Sequence, residues 1–230
     1  MINLTFSSLI NDAFVNYPII KSSDFKFDWH VNMFNSYKEE LSRNNNNKNL
    51  VNHTYKCPGI YEITHKGFLI LMPWDITLYS NPNEDFFHWS SPSSHVCMEF
   101  IEGQKIELAS LHQKDKTAQH IVQKPGYMKS IVKLTLPWHV ISSQPTKLLF
   151  MPIPYPDVYT FEHTFGILDT SITSFINAHV FMRTIEGQII IKAGTPLMQI
   201  IPLEEQSINL HVEYKSLEDI NSARSAYLTP

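Results

Sequence analysis

From Phe165 to Leu203 the chain alternates short apolar runs with turn residues. Gly166–Leu168 is followed at once by Asp169 in a turn, then by a segment Asn177–Met182 that reads as a strand. Ile189–Lys192 and Leu197–Ile201 read as two further strands, divided by Lys192-Ala193-Gly194-Thr195. The last of them carries a single polar residue, Gln199, in an otherwise apolar segment. Runs of four to eight residues bounded by turn signals describe strands, and no helical period intervenes.

The same grammar extends upstream. Phe68-Leu-Ile-Leu-Met-Pro-Trp-Asp-Ile-Thr-Leu-Tyr and Ile131-Val-Lys-Leu-Thr-Leu-Pro-Trp-His-Val-Ile are apolar runs, each interrupted by Pro-Trp. Proline donates no hydrogen bond to a ladder, so Pro73 and Pro137 mark an edge, a bulge or a corner. Met98–Leu108, Lys147–Ile153 and Ile208–Tyr214 complete the set of expected strands. Many short strands with regular turns predict an all-β chain with minor helices, a jelly-roll-like barrel or sandwich.

Helices are expected only at the two ends. Val31, Phe34, Tyr37 and Leu41 recur at helical spacing, which predicts a short amphipathic helix over residues 31–43. The asparagine run Asn44–Asn47 then reads as a loop. Ser216 with Asp219 three residues on is a capping-box pattern that opens a C-terminal helix. The expected division is therefore residues 1–50 as an N-terminal extension, 51–214 as the β-rich core, and 215–230 as a helical tail.

Composition excludes several functions. A chain of 230 residues that is 43% hydrophobic and 12% aromatic fills one domain with ample core. Formal net charge is −4, without a cluster of lysines and arginines, so a duplex nucleic-acid footprint is missing. Cys57 and Cys97 lie far apart and form no Cys-x-x-Cys, which suits buried thiols better than a zinc site. No apolar run approaches the roughly 20 residues that span a bilayer, and the N-terminus lacks a signal-peptide pattern. The expectation is a soluble protein, cytoplasmic in a host cell or carried in a virion, with no membrane partner.

Chemistry-bearing motifs are scarce. Eleven histidines occur, yet none forms His-x-His, His-x-x-x-His or His-Glu-x-x-His, so no metal site is expected. His88 and His95 flank a polar loop and can meet across a turn. No nucleophile elbow, Walker loop or dinucleotide-binding glycine pattern is present, and no cofactor is called for. Trp74, Trp89 and Trp138 with Tyr155 and Tyr159 offer large aromatic faces for stacking or for a core. The stiff segment Met151-Pro-Ile-Pro-Tyr-Pro-Asp reads as an exposed contact loop, because its prolines limit the entropy lost on binding.

Two resemblances build on these residues. Gly166-Ile167-Leu168-Asp169 resembles the first half of a dUTPase motif, and Gly194 with Gln199 fits a later one; the shared fold of dUTPases and dCTP deaminases is the β-clip. The resemblance implies that Asp169 stands where a carboxylate polarises the attacking water. The positions of the base-stacking tyrosine and the arginine hold Ile172 and Thr173 instead, and Pro196 fills a second arginine position. A triphosphate would lack its cationic partners there. More of the chain, about residues 57–205, is similar to a β-rich family common in marine tailed phages and some bacteria. The match runs through Cys57-Pro58, Phe68–Ile76, Lys133–Ile141 and Ile191–Pro202. It implies a phage or bacterial source and no particular activity.

The resulting expectation is a non-enzymatic binding or assembly module, homo-oligomeric or bound to another phage or host protein. Candidate binding residues are Asp169, Gln199, Trp138, His139 and Tyr155. The alternative is a divergent nucleotide hydrolase or deaminase using Asp169.

Overall fold

The computed structural model describes residues 1–48, 51–81, 86–92, 107–111, 125–183 and 187–216, together with 218, 219 and 222. Strands β1 (Ile2–Ser8), β6 (Ala109–Leu111), β7 (Val132–Ser142), β9 (Phe161–His163), β11 (Phe175–Met182) and β14 (Ile208–Tyr214) form the first sheet. Its order is β14-β1-β7-β11-β9, with β6 paired to the first residues of β7. The second sheet runs β10-β8-β13-β3-β2, from β10 (Gly166–Asp169), β8 (Lys147–Met151), β13 (Pro196–Pro202), β3 (Phe68–Leu71) and β2 (Ile20–Lys21). A third joins β12 (Gly187–Ile191), β4 (Ile76–Ser80) and β5 (Phe87–Ser90) in that order. The chain is thus β-rich with minor helices, as expected. Among the described residues no sheet closes on itself, so what they form is a set of packed open sheets and not the barrel of the expectation.

Period-two sequence explains the faces. Along β11, Ile176, Ala178, Val180 and Met182 are buried while the residues between them are not. Ile2, Leu4 and Phe6 of β1 do the same and are completely buried. Strand side chains alternate across a sheet, so one apolar residue in two is enough to coat the inner face. All three sheets contribute to one core, which includes Phe6, Ile70, Ile76, Leu78, Trp138, Leu148, Ile189 and Ile200. Burying each such side chain contributes about 2 kcal/mol.

Residues 2–8 belong to the stretch expected as an extension, yet β1 lies inside the first sheet. It pairs in parallel with β14 and antiparallel with β7. The two proline–tryptophan segments also diverge. Pro73-Trp74 separates β3 from β4, which enter different sheets, so this is a corner. Pro137 instead lies within the unbroken strand β7, beside a register shift against β11 between Phe175 and Asn177. There its missing N–H costs no ladder bond, and its carbonyl accepts from Leu9 N at 2.9 Å.

The expected helix over 31–43 is present and longer: α2 covers Asp28–Arg43. Two short helices were not expected, α1 (Asn11–Asn16) and α3 (Pro58–His65). Pro58 occupies the first turn of α3, where its lack of an N–H is harmless. None of the described helices is long and apolar enough to cross a membrane. At the C-terminal end Asp219 N donates to Ser216 Oγ at 3.2 Å, the cap expected there, but most of that helix lies outside the described residues. So do the expected strand over Met98–Leu108, apart from its last two residues, and His95.

Glycine decides one junction. Gly67, between α3 and β3, has φ of +76°, and a Cβ there would overlap the carbonyl oxygen of Ile200 on β13. Only glycine admits both the backbone angle and that approach.

Candidate functional surface

The five residues singled out from sequence do not converge. Trp138 is fully buried in the main core. His139, its neighbour on β7, points to the other face, where Phe175 lies over it at a centroid distance of 4.1 Å and Ser174 Oγ is 3.5 Å from its Nδ1. Only 1% of His139 is exposed, so it is closed off from solvent. Gln199 is equally buried, and its Nε2 donates to the carbonyls of Ile63 at 2.8 Å and Lys66 at 2.5 Å. Those are orphan carbonyls from the last turn of α3, and the glutamine satisfies them where water is excluded. The same amide thereby fixes α3 to β13.

Asp169 sits at the end of β10, opposite Lys147. Its Oδ1 accepts from Ser171 N at 2.9 Å and from Ser171 Oγ at 2.5 Å, while its carbonyl accepts from Ile172 N and Thr173 N. This is an aspartate closing its own turn. The Ser171 hydroxyl and N–H, with Lys147 nearby, hold its carboxyl below the usual carboxylate range. Among the described residues no three His, Cys, Asp or Glu side chains gather in a way that would hold a metal.

Tyr155 belongs to the proline-rich loop and is 55% exposed. Its φ of +52° is unusual for a residue that also precedes a proline. The loop is anchored on either side of it. Ile153 is buried against Phe27, Leu69 and Leu71, and Asp157 Oδ2 accepts from Asp28 N at 3.2 Å in the first turn of α2. Tyr155 itself packs edge-on against Trp29 at 5.4 Å. The segment expected to be exposed is therefore half docked, with the tyrosine ring on its outer side.

Beyond Tyr155 and Tyr159, the sequence reading did not single out the run of apolar residues around them. Tyr155, Val158, Tyr159, Phe165, Ile167, Ile172 and Phe175 are all exposed, within 21 consecutive residues. Ile167 is 63% exposed and Phe165 69%. Phe165 precedes and Ile167 lies within β10, which is a terminal strand of the second sheet and pairs only with β8 among the described residues. Leu168, between Ile167 and Asp169, is buried, so register places Ile167 on the outer face of the sheet beside Leu149 and Ile201. Large exposed apolar groups thus sit next to a strand edge that no described residue pairs. The available signal was alternation in Phe165-Gly166-Ile167-Leu168, where both phases are apolar.

Compared with family models, curated proteins and solved structures, the chain matches none of them.

Proposed function

We propose that the protein is a non-enzymatic binding and assembly module on a β-clip-like framework, phage-encoded, that associates through the β10 edge and its surrounding apolar residues. The observation that carries this reading is a strand edge left open among the described residues, with Phe165, Ile167 and Ile172 exposed around it. A sheet edge without a charged or proline guard along its length invites strand addition. Within Phe165–Leu168 no residue is charged, and Asp169 comes only at the end.

The partner on this reading is a second copy of the chain. Two β10 edges meeting antiparallel across a twofold axis extend the second sheet and cover Ile167 on both copies. An assembly of this kind suits a virion component or an accessory protein in the host cytoplasm. Sedimentation over a wide concentration range tests it: the wild-type chain should self-associate, and Ile167→Lys should shift the equilibrium to monomer by at least tenfold. A wild-type chain that stays monomeric at every concentration sinks the assembly reading.

The nucleotide-hydrolase alternative rests on Asp169. Asp169 is partly exposed and its carboxyl is held below the usual range, so it is ionised as a water-polarising group requires, but one oxygen is already engaged by Ser171. Turnover of a nucleoside triphosphate that Asp169→Asn abolishes would replace the assembly reading with this one.

A further inference from the structure

The hydrogen bonds behind β10 show which of its backbone groups face the open edge. In an antiparallel pair every second residue exchanges N–H and C=O with the neighbour, and the residues between turn theirs the other way. Thr170 N donates to Thr146 O at 3.0 Å, one step beyond the register pair of Asp169 with Lys147. Gly166 and Leu168 therefore turn their backbone groups to β8, and Phe165, Ile167 and Asp169 turn theirs away. The far side of β8 agrees, because Lys147 gives its carbonyl to Leu203 N, just past β13, at 3.0 Å. No described residue pairs with the outward side of β10.

A separate observation concerns Gly166. A Cβ there would meet nothing within 4 Å, and its φ is not positive, so the single chain has no need of glycine at this position. A glycine inside a strand often marks the place where another backbone comes close.

We propose that two copies meet with Gly166 on the twofold axis, so that Phe165 of each lies opposite Ile167 of the other. This rests on the self-association reading above and adds the register to it. Phe165 and Ile167 then exchange N–H and C=O in both symmetry-related pairs. By alternation their side chains share the outer face, so rings and methyl groups that are 69% and 63% exposed cover one another. Placing Ile167 on the axis instead sets Phe165 against the Asp169 carboxylate. It also calls on the Asp169 carbonyl, which already accepts from Ile172 N and Thr173 N. With Leu168 on the axis, Ile167 meets that same residue. The Gly166 register keeps the two Asp169 residues roughly 20 Å apart along the strands, at about 3.4 Å per residue, so neither charge enters the contact.

Cysteine cross-linking reads the register. In a chain carrying Cys57→Ser and Cys97→Ser, Gly166→Cys should form a disulfide-linked dimer under mild oxidation at least tenfold faster than Ile167→Cys or Leu168→Cys. Opposed residues of a non-hydrogen-bonded pair have Cα atoms about 4.5 Å apart, within disulfide range. Charge exchange tests the same register without altering Gly166. Phe165→Glu and Ile167→Lys should each weaken self-association at least tenfold. The double variant should recover most of that loss at low salt, since the new carboxylate of one copy opposes the new ammonium of the other. A wild-type chain that sediments as a monomer at every concentration removes self-association, and this register with it. A wild-type dimer in which Ile167→Cys or Leu168→Cys links fastest, or in which the double variant is weaker than either single one, leaves self-association standing and overturns the register.

Discussion

On the β3 side of the second sheet, Leu69 and Leu71 are covered by Phe27 and Ile153, whereas on the β10 side Ile167 and Phe165 remain exposed. The residues that cover the first side come from the N-terminal segment and the proline-rich loop. On the covered side even the polar group is satisfied internally, because Gln199 caps the carbonyls of Ile63 and Lys66. The contrast teaches where tolerance to mutation lies. A sheet half roofed by its own chain is fixed by close approach and hydrogen bonding, and its open half is limited only by what docks on it.

The covered side is most sensitive at Gly67. Gly67→Ala places a Cβ against the Ile200 carbonyl at a positive φ, so a loss of about 4 kcal/mol or failure to fold is expected in urea unfolding. A wild-type urea midpoint in that variant would mean that α3 is not seated on β13 as described.

The next effect depends on pH. The folded His163 pKa, about 4, lies below the ordinary 6.5, so the unfolded chain takes up the proton first as pH falls. Stability from the neutral ring is complete above pH 6.5, is lost between 6.5 and about 4, and is level below that. The loss is about 3 kcal/mol, from roughly 1.4 kcal/mol for each pKa unit. His163→Phe should flatten this part of the stability–pH curve. An unchanged slope would place the acid sensitivity elsewhere.

Gln199→Leu comes third. It retains the volume and leaves two carbonyls of α3 unpaired, for an expected loss of about 2 kcal/mol and faster amide exchange at the start of β3. Ile167→Lys sharpens the contrast from the other end. It should change monomer stability by no more than about 0.5 kcal/mol, because the site is exposed, while weakening self-association. A large stability loss there would show that Ile167 is packed in the monomer.

Much of this architecture could be read from alternation alone. Ile208–Tyr214 is a strand over the very residues expected, and the runs around Asn177–Met182 and Leu197–Ile201 differ only at their ends. Identical dipeptides were less informative. Pro73-Trp74 makes a corner and Pro137-Trp138 a bulge within a strand, a difference set by the neighbours each segment meets. The helix α3 carries Gly59 and the β-branched residues Ile60, Ile63 and Thr64, so local propensity argued against it, and only Pro58 hinted at a start. β1 was legible as Ile2, Leu4 and Phe6 alternating with polar residues, but its partners lie far along the chain. At the candidate sites, sequence pointed to Tyr155, which is exposed, and Asp169, which is partly exposed, and gave no warning that Trp138, His139 and Gln199 would be enclosed. Burial separates His139 and His163 from the other described histidines, and nothing in the order of residues around either one shows it.

The parallel pairing of β1 with β14 has a consequence for biosynthesis. Ser7 and Glu213, hydrogen-bonded to one another, are 206 positions apart. At about 5–20 residues per second, a ribosome needs roughly 10–40 seconds to supply the second after the first. During that interval a nascent β1 can settle against β7 but not against β14, so its other flank stays open until β14 emerges. Crowded polysomes are therefore where premature strand exchange between growing copies would occur, and a chaperone that shields the first ten residues would suppress it.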